Sequence, residues 1–259
     1  MPDTARAERP APAWLVREAY QDRTLGVLKS GKEAEVFLVE RRDDTRACLL
    51  AHKRFRPRHP KKGELAELGF THGAIYRHDS VDRQGWYLKA RDERAIHAGT
   101  AHGQEVRARL WPANEMEMLA RAWAIGASVP YPVDRTEDGI LMELIGDADG
   151  VAPRLVQAGI SREDVRVARG QLLDDLARMA ADGIVHADLS VYNLLWWHAR
   201  VVLIDFPQAV DARTNLDAPA LLQRDLENVA VWFGRRGAPI DADAEFARLL
   251  GPLLGAGMS

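Results

Sequence analysis

Several features that define other protein classes are missing from this chain of 259 residues. Cys48 is its only cysteine, which excludes an intrachain disulfide framework and a cysteine-based zinc site. No apolar run approaches the roughly 20 residues that a membrane-spanning helix needs, and the N-terminus lacks the apolar segment of a signal peptide. The net charge of −3 favours no class of charged partner. These absences predict a cytoplasmic protein that makes no membrane contact.

What is present is the composition of a globular protein with a substantial core. Hydrophobic residues make up 47% of the chain and charged residues 28%, which is ordinary for a soluble fold. Strand-like patterns come first and helical periodicity follows, which predicts an α+β fold with two lobes. The predicted strands span residues 25–28, 34–39, 47–53, 140–145, 194–197 and 201–205. The predicted helices span residues 105–124, 161–183 and 222–233, with Asp241 as the cap of a last one.

Local patterns refine these elements at three places. Residues 1–12 are rich in proline and alanine and predict disorder, followed by a short helix over 14–20. Pro112 predicts an interruption or a restart of the helix around it. Ser161 and Asp164, three residues apart, have the pattern of a capping box at the start of the next helix.

The most informative stretch runs from His186 to Asn193 and precedes an apolar strand that ends at Asp205. Asp188 and Asn193 lie five residues apart on one loop. Phosphoryl transfer needs such a set, because one carboxylate orients the attacking oxygen and two oxygen ligands hold Mg²⁺ on the nucleotide phosphates. Each residue alone has a plainer interpretation as a loop cap or a turn residue, and His186 is interpreted as a structural histidine. Their order and spacing together predict a site for ATP and Mg²⁺.

Lys53 ends a predicted strand as the last residue of Ala-His-Lys. Its ammonium can contact nucleotide phosphates if a helix carboxylate holds it in place. Glu115, on the helix that follows, is the first candidate for that carboxylate, and Glu117 is the second. The alternative is a solvated lysine on an edge strand, and the downstream motifs favour the phosphate interpretation.

Ser30, Gly31 and Lys32 lie between two predicted strands, where a loop would cover nucleotide phosphates. Gly31 lets backbone N–H groups approach phosphate oxygens, and Ser30 and Lys32 add donors. A plain hairpin turn fits the same residues, because only one glycine is present. The segment is not a Walker A loop, which needs a second glycine directly before Lys-Ser/Thr.

A basic insert occupies residues 54–104 and contains one predicted strand over 85–89. A run of cations over residues 53–62 leads into this insert, which is the pattern of a solvated face. A footprint for RNA or for an acidic protein is the alternative. Phe55 is the only aromatic residue within that run, so the support for base stacking is weak.

These motifs together resemble the RIO family of atypical serine/threonine protein kinases, from about residue 25 to residue 235. The matching segments are Ser30 to Phe37, Ala51 to Lys53, Trp111 to Arg121, Leu141 to Gly146, Val185 to Asn193 and Ile204 to Gln208. The resemblance implies a trimmed bilobal protein-kinase-like fold, with a β-rich N-lobe, a helical C-lobe and ATP between them. We therefore expect an N-terminal tail and short helix over 1–24, an N-lobe over 25–145 and a C-lobe over 146–259.

The resemblance also implies roles for single residues. Three of them would be catalytic, namely Asp188, Lys53 and Asp205, and two would bind magnesium, namely Asn193 and Asp205. Nucleotide binding would fall to a set that lines the cleft: Ser30, Gly31, Lys32, Lys53, Glu115, Met142, Glu143 and Ile145. Within this set Met142 would be the gatekeeper, while Glu143 and Ile145 would offer backbone bonds to adenine. Members of the family have been described as forming an aspartyl-phosphate, here on Asp205, so a slow ATPase switch is as compatible as a protein kinase.

The family branch and the acceptor remain open at this point. Only about 24 residues precede the core, so we expect a short form without the winged-helix domain of one branch. The loop at 205–208 resembles that branch, whereas the loop at 30–34 resembles the other. One alternative function is a small-molecule phosphotransferase of the aminoglycoside or choline kinase kind. Those enzymes carry a histidine or similar group where this chain has Ser190. The other alternative is a non-catalytic nucleotide-binding scaffold.

Overall fold

The computed structural model describes residues 9–31, 34–55, 100–147 and 150–256. The strands are β1 (Gln21–Ser30), β2 (Ala34–Arg42), β3 (Ala47–Phe55), β4 (Pro132–Arg135), β5 (Gly139–Glu143), β6 (Gly146–Asp147), β7 (Gly150–Val151), β8 (Ile184–Val185), β9 (Leu194–Trp197), β10 (Arg200–Leu203) and β11 (Val210–Asp211). The α-helices are α1 (Ala101–Ala124), α2 (Arg162–Ala181), α3 (Ala218–Arg235) and α4 (Ala242–Gly255). A five-stranded sheet thus precedes a mainly helical part, which confirms the α+β prediction.

The large sheet is antiparallel throughout and has the strand order β1-β2-β3-β5-β4. Lys53 on β3 lies opposite Val36 on one side and Ile140 on the other. A glycine is required next to this point, because a Cβ atom on Gly139 would lie 1.8 Å from the carbonyl oxygen of Lys53. β3 is therefore fixed between two neighbours where it carries the candidate lysine. β4 escaped the sequence prediction because it is short, starts with a proline and is half charged.

The segment ahead of β1 corrects one prediction, because residues 14–20 form turns and irregular backbone instead of a helix. The N–H of Leu15 donates to the carbonyl of Pro12, and Ala19 has a left-handed backbone with φ 46°. Leu15 is buried against Leu50 of β3 and neighbouring sheet residues. Packing on the sheet fixes this segment, so it needs no helix. The predicted disorder of residues 1–8 and the predicted strand over 85–89 lie outside the described residues.

Helix α1 runs without a break through Pro112, which corrects the predicted interruption. A proline inside a helix removes one backbone hydrogen bond and costs about 3 kcal/mol. The turns after Pro112 offset this cost, because Met118, Leu119 and Ala122 are buried in the main core. Continuity of α1 matters for the site, since Glu115 lies one turn beyond the proline.

The helical part is built around α2 and α3, whose buried faces share that main core. The predicted capping box is present at the start of α2, where Ser161 and Asp164 bond each other's backbone N–H groups. Gly183, with φ 77°, follows the end of α2. The β9/β10 hairpin and the two-stranded β8/β11 sheet that brackets it in the chain then carry the loops of the candidate site. Among the described residues, no helix is both long enough and apolar enough to cross a membrane.

Candidate active site

The centre of the site is the buried ammonium of Lys53, which bonds two carboxylates from different parts of the fold. Its Nζ atom lies 2.7 Å from Glu115 Oε1 on α1 and 2.5 Å from Asp205 Oδ1, which follows β10. Lys53 and Glu115 are 7% and 1% exposed, respectively. The structure thus brings Glu115 to Lys53, whereas the second candidate, Glu117, lies near Arg121 and Arg213.

Charge and burial oppose each other in this cluster. Burial favours neutral Lys53, yet the carboxylates of Asp205 and Glu115 outweigh it and raise the pKa of the lysine. Burial dominates at Glu115 and raises the pKa of that carboxyl group. Burial also opposes ionisation of Asp205, but the ammonium of Lys53 prevails and lowers its pKa. Lys53 therefore carries a permanent positive charge and Asp205 a negative one, which suits a phosphate contact beside a metal ligand.

Helix α1 also holds the loop of residues 205–209, which we call the Asp205 loop. Glu115 Oε1 accepts the N–H of Phe206 at 3.1 Å. The side-chain amide of Asn114 donates to the carbonyls of Pro207 and Ala209 at 3.2 and 3.0 Å. Sequence reasoning missed Asn114, because a single polar residue next to a glutamate carries no spacing signal. Asn114 and Glu115 make the position of α1 and the shape of the Asp205 loop interdependent.

Asn193 and Asp205 flank the β9/β10 hairpin, with Asn193 directly before β9 and Asp205 two residues after β10. The N–H of Ile204 donates to the Asn193 carbonyl at 3.0 Å. The side-chain nitrogen of Asn193 donates to the Asp188 carbonyl at 2.9 Å, which leaves its amide oxygen for a cation. One carboxylate and one amide oxygen suit Mg²⁺, which keeps several waters and takes its other ligands from substrate phosphates. No group of three or more His, Cys, Asp or Glu side chains able to hold a metal ion occurs in the described part of the chain.

Side chains of α3 form hydrogen bonds with the backbone of residues 186–193, which we call the Asp188 loop. Asp225, 1% exposed, accepts the N–H groups of Ala187 and Leu189 at 2.7 and 2.9 Å. Arg224 donates to the Ala187 carbonyl and Asn228 to the Leu189 carbonyl. Ala187 has a left-handed backbone with φ 60°, a conformation that persists only where its surroundings enforce it. The backbone on both sides of Asp188 is therefore fixed by one helix.

Two buried titratable groups flank this loop. Burial raises the pKa of Asp225 to about 7, although the two N–H groups and Arg224 favour its charged form. Burial lowers the pKa of His186 to about 4. The Nε2 atom of His186 lies 3.1 Å from the Ile204 carbonyl, and its ring packs on Phe206 with 4.7 Å between centroids. His186 is thus a neutral histidine that packs between the Asp188 and Asp205 loops, as its structural interpretation predicts. Asp225 carried no sequence signal.

The strand at the expected adenine contact has a particular pattern of backbone bonds. Met142 on β5 pairs with Ala51 of β3. The N–H of Glu143 donates to the Tyr131 carbonyl at 2.9 Å, and its carboxylate accepts the N–H of Tyr131 at 2.9 Å. Both bonds fix the end of β5 against Tyr131, at the place where the resemblance expects the adenine contact. The carbonyl of Ile145 accepts the N–H of Ala152 at 2.8 Å, which ties this segment to the residue after β7.

The candidate phosphate loop lies between β1, which ends at Ser30, and β2, which begins at Ala34. Gly31 donates its N–H to the Ala34 carbonyl at 2.9 Å. A Cβ atom on Gly31 would lie 3.1 Å from that same oxygen, which favours glycine. Ser30 donates to the carboxylate of Glu35 at 3.1 Å. Lys32 lies outside the described residues, as does most of the basic insert.

The fold and the site are those of the protein-kinase class. An antiparallel sheet carries a lysine paired with a helix glutamate, and two loops of the helical part carry the aspartates and the asparagine. A model of the RIO domain matches residues 75–246, more than half of the chain. The chain belongs to the RIO family of serine/threonine protein kinases. This match favours the RIO interpretation over the small-molecule phosphotransferases that share the fold.

Named relatives extend the similarity toward the N-terminus. A RIO-type serine/threonine-protein kinase Rio1 of Haloferax volcanii is 31% identical over 239 residues, which cover 92% of this chain and 72% of the relative. Rio1 of Thermoplasma acidophilum is 35% identical over 52% of this chain and 69% of its own length. Human serine/threonine-protein kinase RIO3 is 34% identical over half of this chain but over only 25% of its own length.

Solved structures show the same fold at low sequence identity. A Rio2 kinase of Chaetomium thermophilum superposes with a TM-score of 0.55, 18% identity, and coverage of 91% of this chain and 69% of that one. An ADP/Mg²⁺-phosphoaspartate complex of Rio2 from the same organism gives a TM-score of 0.51 at 18% identity, over 90% and 70% of the two chains. These likenesses establish the kinase-like fold for this chain.

Proposed function

We propose that this protein transfers the terminal phosphate of ATP, with Mg²⁺, to a serine or threonine hydroxyl. The observation that carries this proposal is the paired contact of Lys53 with Glu115 and Asp205. A buried lysine held in this way joins the sheet, α1 and the Asp205 loop at one point, where nucleotide phosphates need positive charge. We take residues 25–145 and 146–259 as the two lobes that enclose the nucleotide.

The residues divide the chemistry between them. Lys53 neutralises the α- and β-phosphates, and backbone groups at Ser30 and Gly31, with Lys32, cover the triphosphate. Asp188 orients the acceptor hydroxyl and takes its proton as the oxygen bonds to the γ-phosphorus. The bond between that phosphorus and the β,γ-bridging oxygen breaks, and ADP leaves with the electron pair. Magnesium held by Asn193 and Asp205 would supply charge neutralisation on the β- and γ-phosphates.

A slow ATPase switch is the second candidate, and two observations favour it. The complex of the Chaetomium Rio2 kinase contains a phosphoaspartate next to ADP and Mg²⁺. In this chain the corresponding candidate is Asp205, whose side chain keeps 40% of its surface exposed despite the bond to Lys53. A carboxylate oxygen of Asp205 would then bond to the γ-phosphorus as the bond to the β,γ-bridging oxygen breaks and ADP leaves, and water would later hydrolyse the aspartyl-phosphate to release phosphate.

Single-turnover chemistry with γ-labelled ATP and Mg²⁺ tests this proposal. The products of the wild type, Asp188→Ala and Asp205→Asn would be separated into phosphoserine or phosphothreonine, base-labile aspartyl-phosphate and free phosphate. We expect label on serine or threonine that disappears in Asp188→Ala. Aspartyl label or free phosphate alone would favour the switch. The absence of any phosphoryl transfer by the wild type would contradict both functions and leave a nucleotide-binding scaffold.

The acceptor and further partners stay predictions. Arg54 packs over the ring of Phe37 at 4.5 Å and pairs with Asp138 at 3.3 Å, so the start of the basic run supports the sheet. Contact of the remaining run with RNA or with an acidic protein rests on its charge alone.

A further inference from the structure

Lys29, which no motif singles out, shares a face of the sheet with Lys53. Lys29 on β1 lies opposite Val36 on β2, and Val36 lies opposite Lys53 on β3. Residues directly opposite each other across strands project from the same face of a sheet. Two strand spacings separate the backbones of the two lysines by about 10 Å. Lys29 therefore projects toward the cleft beside Lys53, one residue before the candidate phosphate loop.

A second cation reaches the cleft from the helical part. Arg154 directly precedes the short 3₁₀ helix Leu155–Gln157 and forms a β-bridge with Leu195 of β9. Its guanidinium lies 6.0 Å from the centre of the Tyr192 ring. Tyr192 belongs to the Asp188 loop and directly precedes Asn193. Arg154 thus lies beside the Asp188 loop in the helical part, whereas Lys29 lies on the sheet.

The two cations are close enough to influence each other. Partial burial and then the positive charge of Arg154 lower the pKa of Lys29, while Asp205 acts in the opposite direction. Among the residues that the structure describes, neither Lys29 nor Arg154 forms an ion pair with a carboxylate. Lys53 differs from both, since Glu115 and Asp205 compensate its charge. Two nearby cations that lack a direct ion pair repel each other, and an anion between them would turn this repulsion into attraction.

We propose that Lys29 and Arg154 form an anion subsite, one cation from each side of the cleft, that binds the terminal phosphate of ATP. The subsite rests on the proposed function, because it presupposes that Lys53 contacts the inner phosphates. Lys29 adjoins the candidate phosphate loop and Arg154 adjoins the Asp188 loop, so both flank the path along which that phosphate moves. The subsite favours ATP over ADP, since ADP lacks the group that it binds.

Calorimetric affinities for Mg·ATP and Mg·ADP test the subsite in the full chain. The variants are Lys29→Gln, Arg154→Gln and the double variant. Arg42→Gln is the control, because Arg42 is an exposed cation near the opposite end of β2. We expect each single variant to weaken Mg·ATP about tenfold, as for one lost charge-assisted bond. Mg·ADP affinity should stay within about twofold of the wild type.

The affinities for Mg·ATP and Mg·ADP distinguish a failure of the subsite from a failure of the proposed function. A selective loss of Mg·ATP affinity that Arg42→Gln does not reproduce supports the subsite. If Mg·ADP binds and the ratio of the two affinities is unchanged in the double variant, the subsite is wrong and the proposed function stands. If the wild type binds neither nucleotide, the proposed function itself fails and the subsite with it.

Discussion

The two halves of the candidate site are held in place by different forces. The Lys53 half rests on charge, since one ammonium joins the carboxylates of Glu115 and Asp205. The Asp188 half rests on backbone geometry, since Asp225, Arg224 and Asn228 bond the N–H and carbonyl groups of residues 187 and 189. A charge cluster can rearrange when a nucleotide and a cation arrive, whereas a bonded backbone cannot. We infer that nucleotide binding adjusts the first half and that the second is already set for transfer.

Removing the charge at Lys53 should have the largest effect. Lys53→Met takes away the phosphate contact, so we expect turnover of Mg·ATP to fall by at least about 100-fold. It also leaves Glu115 buried without a counter-ion, which costs about 3–5 kcal/mol of the free energy of unfolding. Steady-state kinetics and urea denaturation measure the two effects.

A double variant separates the effect of Lys53 on stability from its effect on catalysis. Lys53→Met with Glu115→Leu removes both buried charges, and we expect it to recover most of the lost stability while turnover stays low. An unchanged ATP rate in Lys53→Met would contradict the assignment of the pocket.

Removing the backbone acceptor beneath the Asp188 loop should have the next largest effect. Asp225→Ala leaves two buried N–H groups without an acceptor, at about 1–3 kcal/mol each. We expect kcat to fall with the order of the loop, while Mg·ADP affinity stays within about twofold, because Asp225 touches no phosphate site. Glu227→Ala, an exposed change on the same helix, is the control. Equal losses in Mg·ADP affinity and kcat would contradict the separation of the two halves.

The pKa of Asp225 predicts a pH dependence of a definite sign. Between its ordinary pKa of 3.8 and its folded value of about 7, the folded chain binds more protons than the unfolded one. The contribution of Asp225 to stability therefore falls as the pH rises through this window. Relative to Asp225→Asn, the wild type should lose up to about 4 kcal/mol between pH 4 and pH 7.

The comparison with Asp225→Asn cancels the contribution of His186 to the pH dependence of stability, which has the opposite sign. His186, with a folded pKa of about 4, makes stability rise with pH between about 4 and 6.5, but it does so in both proteins. Denaturation at a series of pH values gives the difference directly. A difference that does not change with pH would show that Asp225 does not titrate in this range.

The smallest predicted effect concerns Asn114. Asn114→Ala removes two bonds to the carbonyls of the Asp205 loop, each worth about 1 kcal/mol. The loop should hold its shape less well, so we expect half-saturation with Mg²⁺ to require a severalfold higher concentration at fixed ADP. Glu117→Gln, nearby on α1, should leave it unchanged. An unaltered Mg²⁺ requirement in Asn114→Ala would mean that Glu115 alone holds the loop.

The candidate chemical residues stand out in the sequence more clearly than the residues that position them. Asp188, Asn193 and Asp205 could be proposed because their order and spacing around one hairpin are unusual. Asp225 and Asn114 lie on distant helices and act on backbone atoms, for which any of several polar side chains would serve. Lys29 and Arg154 are linked to the site only through the register of a sheet and the position of a loop, which the sequence alone does not reveal.

The helices and strands likewise divide into those with a local sequence signal and those fixed by tertiary packing. Helices α2 and α3 were predicted because their apolar periodicity is long and α2 begins with a capping box. The segment 14–20 and the path of α1 through Pro112 were predicted wrongly, because tertiary packing outweighs local preference there. Packing on a distant sheet or core leaves no periodic trace in a short segment.

The most direct test of the division between the two halves is one paired measurement on Lys53→Met and Asp188→Ala. For each, Mg·ATP affinity and the single-turnover rate of phosphoryl transfer would be determined. We predict that Asp188→Ala keeps Mg·ATP affinity within about twofold and loses transfer by about 10²–10⁴-fold, as for a general base. Lys53→Met should lose both. Transfer by Asp188→Ala at the wild-type rate would contradict the assignment of the reaction to the Asp188 loop.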